Sequence, residues 1–133
     1  MTSGSGARGY LSAQVNCATP LELIVMLYDA GLRSADAAHE ALVTGDIHAR
    51  RSAMNKLMGI IAELQNTLDT ERGGKIAADL DDLYSYLLTR LLAAIADRDP
   101  RPVDEVRRIL GTLRDAWREI AQQPQAALAG SQP

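Results

Sequence analysis

The chain has 133 residues, 47% of them hydrophobic but only 4% aromatic, with no phenylalanine and a net charge of −3. That length holds one domain with a real core and excludes a second one. Its 14 basic and 17 acidic residues are interspersed, which excludes the concentrated basic stripe that phosphate neutralisation needs, so no nucleic-acid partner is expected.

A core poor in rings and rich in Leu, Ile and Ala suits helix packing, and the alternating Val/Ile/Thr/Tyr runs of strands are missing. The class predicted is all-α. Residues 1–18 read as a mobile N-terminal arm, small and polar, with scattered Tyr10, Leu11 and Val15. The arm lacks an apolar signal segment. Cys17 is the only cysteine, so the fold does not rely on an oxidising compartment.

Thr19-Pro20-Leu21-Glu22 is a capping box with proline at the first helical position, and the first long helix starts there. Its stripe is Ile24, Leu27, Tyr28, Gly31, Ala35, Ala38 and Leu42, and the small residues among them would let a neighbour pack very close. Thr44-Gly45-Asp46 ends that helix and caps the next, which shows Ala53, Met54, Leu57, Ile60, Ile61, Leu64 and Leu68 on one face. Gly73-Gly74 is expected to break the chain before a third helix that runs to about Asp97. Asp99-Pro100-Arg101-Pro102 is a stop and restart signal. A fourth helix follows, with Val106, Ile109, Leu110, Leu113, Trp117 and Ile120 on one stripe and Asp104 and Glu105 in its first turn, where the helix dipole favours them. After Gln122 the composition turns to Pro, Gln, Ala, Gly and Ser, which predicts a disordered tail. The domain plan is an arm (1–18), an antiparallel four-helix bundle (19–122) and a tail (123–133), the short connections making antiparallel neighbours the default.

The third helix is the informative one. At about 100° per residue, Ile76, Ala77, Leu80, Leu83, Tyr84, Leu87, Leu88, Leu91, Leu92 and Ile95 fall in one arc covering about half the circumference. An ordinary surface helix turns a stripe of roughly 100° to its core. A helix this apolar is either buried completely or keeps a groove for a partner. The charge-free apolar run from Leu83 to Thr89 is far shorter than a membrane span, so no membrane insertion is expected and the protein reads as soluble and cytoplasmic.

Catalytic chemistry finds no foothold. Bundle-borne di-metal centres need inward carboxylates on all four helices and two Glu-x-x-His pairs. This chain offers only the related Asp36 and His39, and His48 lacks a carboxylate at matching spacing. Two surface histidines are the better reading. Cys17 has no visible His or basic cluster to lower its pKa, and Gly73-Gly74 lacks the Gly, Lys and Ser/Thr pattern of a phosphate loop. Asp81 and Asp82 are adjacent and diverge on a helix. No enzyme, metal or cofactor is expected. Trp117 reads as a core anchor, and as a ligand contact it would need an open neighbouring groove.

Taken together, Thr19-Pro20-x-Glu22-Leu23-Ile24, Met26-Leu27-Tyr28-Asp29, Leu68-Asp69, Gly73-Gly74-Lys75-Ile76-Ala77, Leu80, Leu83-Tyr84, Tyr86, Arg90-Leu91 and Asp115-Ala116-Trp117 resemble the FliS family of flagellar secretion chaperones over roughly residues 10–121. The order and spacing of these blocks carry the likeness. The chain departs from the family pattern at Ala30-Gly31, where the two residues are exchanged, at Asp79, where Asn is common, and at Ile95, where Asn is frequent. The resemblance implies a helical bundle that binds the C-terminal segment of flagellin, prevents its premature polymerisation in the cytoplasm and keeps it competent for the flagellar type III export apparatus. It also places Tyr10 at an N-terminal tyrosine important for flagellin binding. Groove residues are expected on the second and third helices: Ile61, Leu64, Ile76, Leu80, Leu83, Tyr84, Leu87 and Leu91, each as well suited to core as to groove. An aromatic in a mobile arm needs somewhere to dock, so Tyr10 is expected to cover part of the groove when flagellin is absent. The competing class is a self-associating structural bundle without a flagellin client, and an uncovered groove leaves weak homodimerisation of the free protein open.

Overall fold

A computed structural model of the chain describes residues 19–123. These form an antiparallel four-helix bundle of α1 (Pro20–Thr44), α2 (Ile47–Asn66), α3 (Thr70–Asp97) and α4 (Arg101–Ala121). Tyr10 and Cys17 lie outside the described residues, as does most of the expected tail.

The helix boundaries follow local chemistry. Thr19 and Glu22 make the reciprocal capping box: the Glu22 amide donates to Thr19 Oγ1 at 3.1 Å and the Thr19 amide donates to Glu22 Oε1 at 2.8 Å. Two of the orphan donors of the first turn are thereby satisfied. Gly45 closes α1 in the left-handed conformation, with φ 76°, a region open to glycine at little steric cost. Asp46 caps α2 by accepting from the Ala49 amide at 3.0 Å.

The expected break at Gly73-Gly74 falls inside α3. Asp69 accepts from the Arg72 amide at 3.2 Å and starts the helix at Thr70. Only Gly74 leaves helical geometry, at φ 54° and ψ −132°. The helix therefore begins with a short leading turn that bends before the main rod, because the Asp69 cap nucleates a turn ahead of the glycines.

Each helix packs against its sequence neighbours and α4 closes the ring against α1, while the backbones of the diagonal pairs stay apart. The approach is closest around α1, where Gly31, Ala35 and Ala38 are buried. A methyl group placed on Gly31 would lie 3.4 Å from Leu110 Cδ1 and 3.5 Å from Ile60 Cγ2. Small residues on α1 thus draw in α2 and α4 together, and α3 is the helix held less closely by its neighbours.

The core runs through Leu27, Tyr28, Leu57, Ile61, Leu64, Leu87, Leu91 and Leu110. Along α3 the buried residues are only Ala77, Tyr84, Leu87, Leu91 and Ala94. The described residues cover the rest of its apolar arc only in part. Leu80, Leu83, Leu88 and Ile95 are half-buried, while Ile76 is 74% and Leu92 56% exposed.

A candidate binding pocket at one end of the bundle

The start of α1, the end of α2, the start of α3 and the end of α4 share one end of the bundle, and there the helices do not close. A pocket of about 350 Å³ opens between them, lined by Ile24 of α1, Thr67, Leu68 and Asp69 of the α2–α3 connection, Arg72, Gly73, Ile76, Ala77, Leu80 and Tyr84 of α3, and Trp117 of α4. Most of its wall is apolar. Its charged groups, Asp69 and Arg72, sit at an exposed rim, where the two side chains form a long ion pair of 3.7 Å.

Gly73 and Gly74 shape one wall. A Cβ on Gly73 would stand 2.6 Å from the Ala77 Cβ, closer than two carbons can approach, so the leading turn of α3 folds onto the rod only because that side chain is missing. The positive φ of Gly74 turns the backbone between them.

One lining residue, Tyr84, also ties the pocket to the core. Tyr28 and Tyr84 meet hydroxyl to hydroxyl at 2.5 Å, spanning the diagonal from α1 to α3. Burial, then the neighbouring Tyr84 hydroxyl, pushes the Tyr28 pKa far above the ordinary tyrosine range, while Trp117 opposes that shift. Burial raises Tyr84 as well, and its bond with Tyr28 works against the rise. Both phenols are neutral and able to donate at any physiological pH.

The residues expected in a groove divide clearly. Ile76, Leu80 and Tyr84 line the pocket. Leu83 is half-buried on the same helix outside that lining. Ile61, Leu64, Leu87 and Leu91 belong to the packed core. Tyr10 lies outside the described residues. Ile24, Leu68 and Trp117 complete the pocket without having been singled out as groove residues. Their common signal is an apolar residue in a terminal turn or connection at the same end of the bundle. Trp117 is half-buried rather than a sealed anchor, and it has the open neighbour that a ligand contact requires.

Asp36 and His39, weighed as metal ligands, turn instead toward α4: Asp36 pairs with Arg107 and His39 lies against Asp104. Among the described residues no cluster of His, Cys, Asp and Glu suited to a metal is formed. No described helix is long and apolar enough to cross a membrane.

The described residues thus form a helical bundle with an apolar pocket at one end. Comparison with known proteins specifies its kind. The family described as "Flagellar protein FliS" matches residues 3–124. The flagellar secretion chaperone FliS of Salmonella typhimurium (strain LT2) is 35% identical, over 91% of this chain and 93% of its own. FliSB of Pseudomonas aeruginosa, also named a flagellar secretion chaperone, is 36% identical over 84% and 88%. The Bacillus subtilis (strain 168) chaperone FliS is 32% identical over 92% and 90%. The chain belongs to the FliS family, which is a family of flagellar secretion chaperones and not of enzymes.

Proposed function

We propose that this protein holds the C-terminal segment of flagellin in the cytoplasm, with apolar side chains of that segment seated in the pocket and along the uncovered arc of α3. The observation that carries the proposal is the open pocket lined by Ile24, Leu68, Ile76, Leu80 and Trp117. A protein that needed no client would gain by closing it. Membership in a chaperone family supplies the class of client, and the names of the relatives point to flagellar export.

The energetics suit a disordered ligand. Fully burying one Leu or Ile side chain contributes on the order of 1.5–3 kcal/mol. Several such anchors offset an ordering cost of about 2–5 kcal/mol or more for a segment that folds as it binds. Helix-in-groove recognition of this sort needs no nucleotide. Held in this way, the segment is kept from polymerising and is delivered to the export apparatus.

Tyr10 enters the proposal through chain geometry. The pocket lies at the end of the bundle where α1 begins, and the chain from Tyr10 to Thr19, extending at up to about 3.4 Å per residue, is long enough to reach it. Tyr10 would then occupy the pocket until flagellin displaces it. If so, Tyr10→Ala changes both flagellin affinity and arm mobility, and an unchanged pair of values removes this part.

The decisive experiment is titration of the full chain with a synthetic flagellin C-terminal peptide, followed by circular dichroism. Saturable one-to-one binding with a gain of helix is expected. Absence of binding, together with concentration-dependent sedimentation of the free protein, would favour a self-associating structural bundle instead.

A further inference from the structure

One wall of the pocket is built unlike the others. Thr67, Leu68, Asp69, Arg72 and Gly73 line it from a single short stretch of chain. Residues 69–76 are all exposed, and Leu68, half-buried against the core, is the nearest apolar anchor before them. The bonds of this stretch are internal. The Gly73 amide donates to the Asp69 carbonyl at 2.7 Å, the Arg72 amide donates to the Asp69 carboxylate, and Asp69 and Arg72 form their ion pair within the same turn. Among the described residues no hydrogen bond or ion pair joins residues 69–73 to α1 or α4. A segment with few buried contacts and self-contained bonding lies at the low end of local stability and moves as a unit.

The pivot is Gly74. Its φ of 54° and ψ of −132° mirror the extended backbone of an L residue. Glycine adopts that conformation freely, a D residue fits it, and an L side chain there is strained. In an unbroken helix the Cβ atoms of residues four apart stand about 5–6 Å from each other. Between positions 73 and 77 the bend reduces that separation to 2.6 Å. Turning Gly74 to helical geometry would lift the leading turn off the rod and restore the ordinary spacing. Two terms oppose the straight form and favour the bent one: the seat of Leu68 on the core, and the poor helix propensity of two successive glycines.

We propose that residues 69–73 are a lid on the pocket, hinged at Gly74 and released when α3 straightens there, so that an occupant gains the pocket by displacing it. The lid carries the rim pair of Asp69 and Arg72 with it. Opening therefore moves both charges away from the mouth and leaves a wider cleft between Ile24, Leu80 and Trp117. The apparent affinity for an occupant is the affinity of the open form reduced by the fraction of molecules that are open. The identity of the occupant rests on the proposed function, whereas the hinge does not.

Two epimers at position 74 of the full chain test the lid. Gly74→Ala strains the bent backbone and should raise the ratio of open to closed forms at least about fivefold, the low end of such strain. Gly74→D-Ala, made by chemical synthesis, fits the bent backbone and should lower that ratio. Trp117 is the only tryptophan and lines the pocket, so acrylamide quenching of its fluorescence reads the opening. Quenching should be stronger in Gly74→Ala than in Gly74→D-Ala, and equal quenching or the reverse order overturns the lid. In the parent, NMR relaxation dispersion should show microsecond-to-millisecond exchange at the amides of residues 69–74, and Gly74→D-Ala should suppress it. A parent without that exchange overturns the lid even if Gly74→Ala does not fold. The stabilities carry a separate check. One straightening relieves both the 2.6 Å contact at Gly73 and the strained φ at Gly74, so the two alanine substitutions should not add. The double variant should melt little below the less stable single, and a loss equal to the sum of the two overturns the shared hinge. The flagellin C-terminal peptide should bind more tightly to Gly74→Ala than to Gly74→D-Ala, and equal affinity overturns the lid as the way in. A peptide that binds no form of the protein, with the order of quenching intact, overturns the flagellin proposal and leaves the lid standing.

Discussion

Adding one methyl group at Gly73 would force two carbons to 2.6 Å, and the carbon it meets belongs to Ala77, which is nearly fully buried and has no rotamer to move. Only the backbone can yield there. Gly73→Ala should therefore destabilise the fold by about 1–3 kcal/mol, as overpacking does, and open the pocket wall at the same time. Gly74→Ala acts differently. Nothing lies within 4 Å of its added carbon, but the backbone holds a positive φ, so its penalty is strain, also of about 1–3 kcal/mol. Thermal unfolding of both variants checks the pair. A Gly73→Ala protein as stable as the parent would mean that the leading turn of α3 does not pack on the rod in solution.

At the level of whole helices, α3 separates what stabilises from what is left over. Leu91 is in the core and Leu92, one residue on, is 56% exposed. Leu91→Ala should cost about 2–5 kcal/mol. Leu92→Ser and Ile76→Ser should stay within about 0.5 kcal/mol of the parent, yet Ile76→Ser should weaken flagellin-peptide binding several-fold, since Ile76 lines the pocket. Denaturant midpoints and peptide titration together make the test, and a large stability loss in Ile76→Ser would place that residue in the core instead. The width of the apolar arc was legible in the sequence because period and hydropathy are local properties of α3. So were the caps at Thr19 and Asp46, whose partners lie three residues away. Which residues of the arc face inward was not legible. Leu87 and Leu91 are core while Leu80 and Leu83 are half-buried, and that division depends on how far α3 stands from α2 and α4, set by small residues on α1 in another part of the chain. The same distance explains why Ile61 and Leu64, apolar and suitably spaced for a groove, were taken up by packing. The buried hydroxyl pair behind the pocket could not be read either, since Tyr28 and Tyr84 meet only through the folded diagonal.

Across the whole bundle, charge holds α4 in place where apolar contact does not. On the side of α1, Arg107 pairs with Asp36, and Arg114 reaches Asp29 at 2.7 Å. On the side of α3, Glu105 accepts from Arg90 at 2.6 Å and from the Tyr86 hydroxyl at 2.5 Å. The bond from Tyr86, then that from Arg90, lowers the Glu105 pKa, and the bond from Arg101 does the same for Asp99 at the start of α4. A carboxylate with a depressed folded pKa binds fewer protons in the native state than in the unfolded one. Its stabilisation is complete above the unfolded value, about 4.3 for glutamate, and is lost as pH falls through that value toward the folded one. These groups are half-buried at the surface, and surface pairs each contribute little, but they act on one helix. Melting temperatures recorded from pH 7 to pH 3 should fall below about pH 4.5 in the parent. Glu105→Gln should start lower at pH 7 and fall less steeply, because the group that titrates against α4 is gone. Since Trp117 lies on α4 and lines the pocket, its indole resonance should shift over the same acid range before the bundle melts. Parallel pH profiles for parent and variant would mean that α4 is held by Val103, Val106 and Leu110 alone, and that the ion pairs along it are decoration.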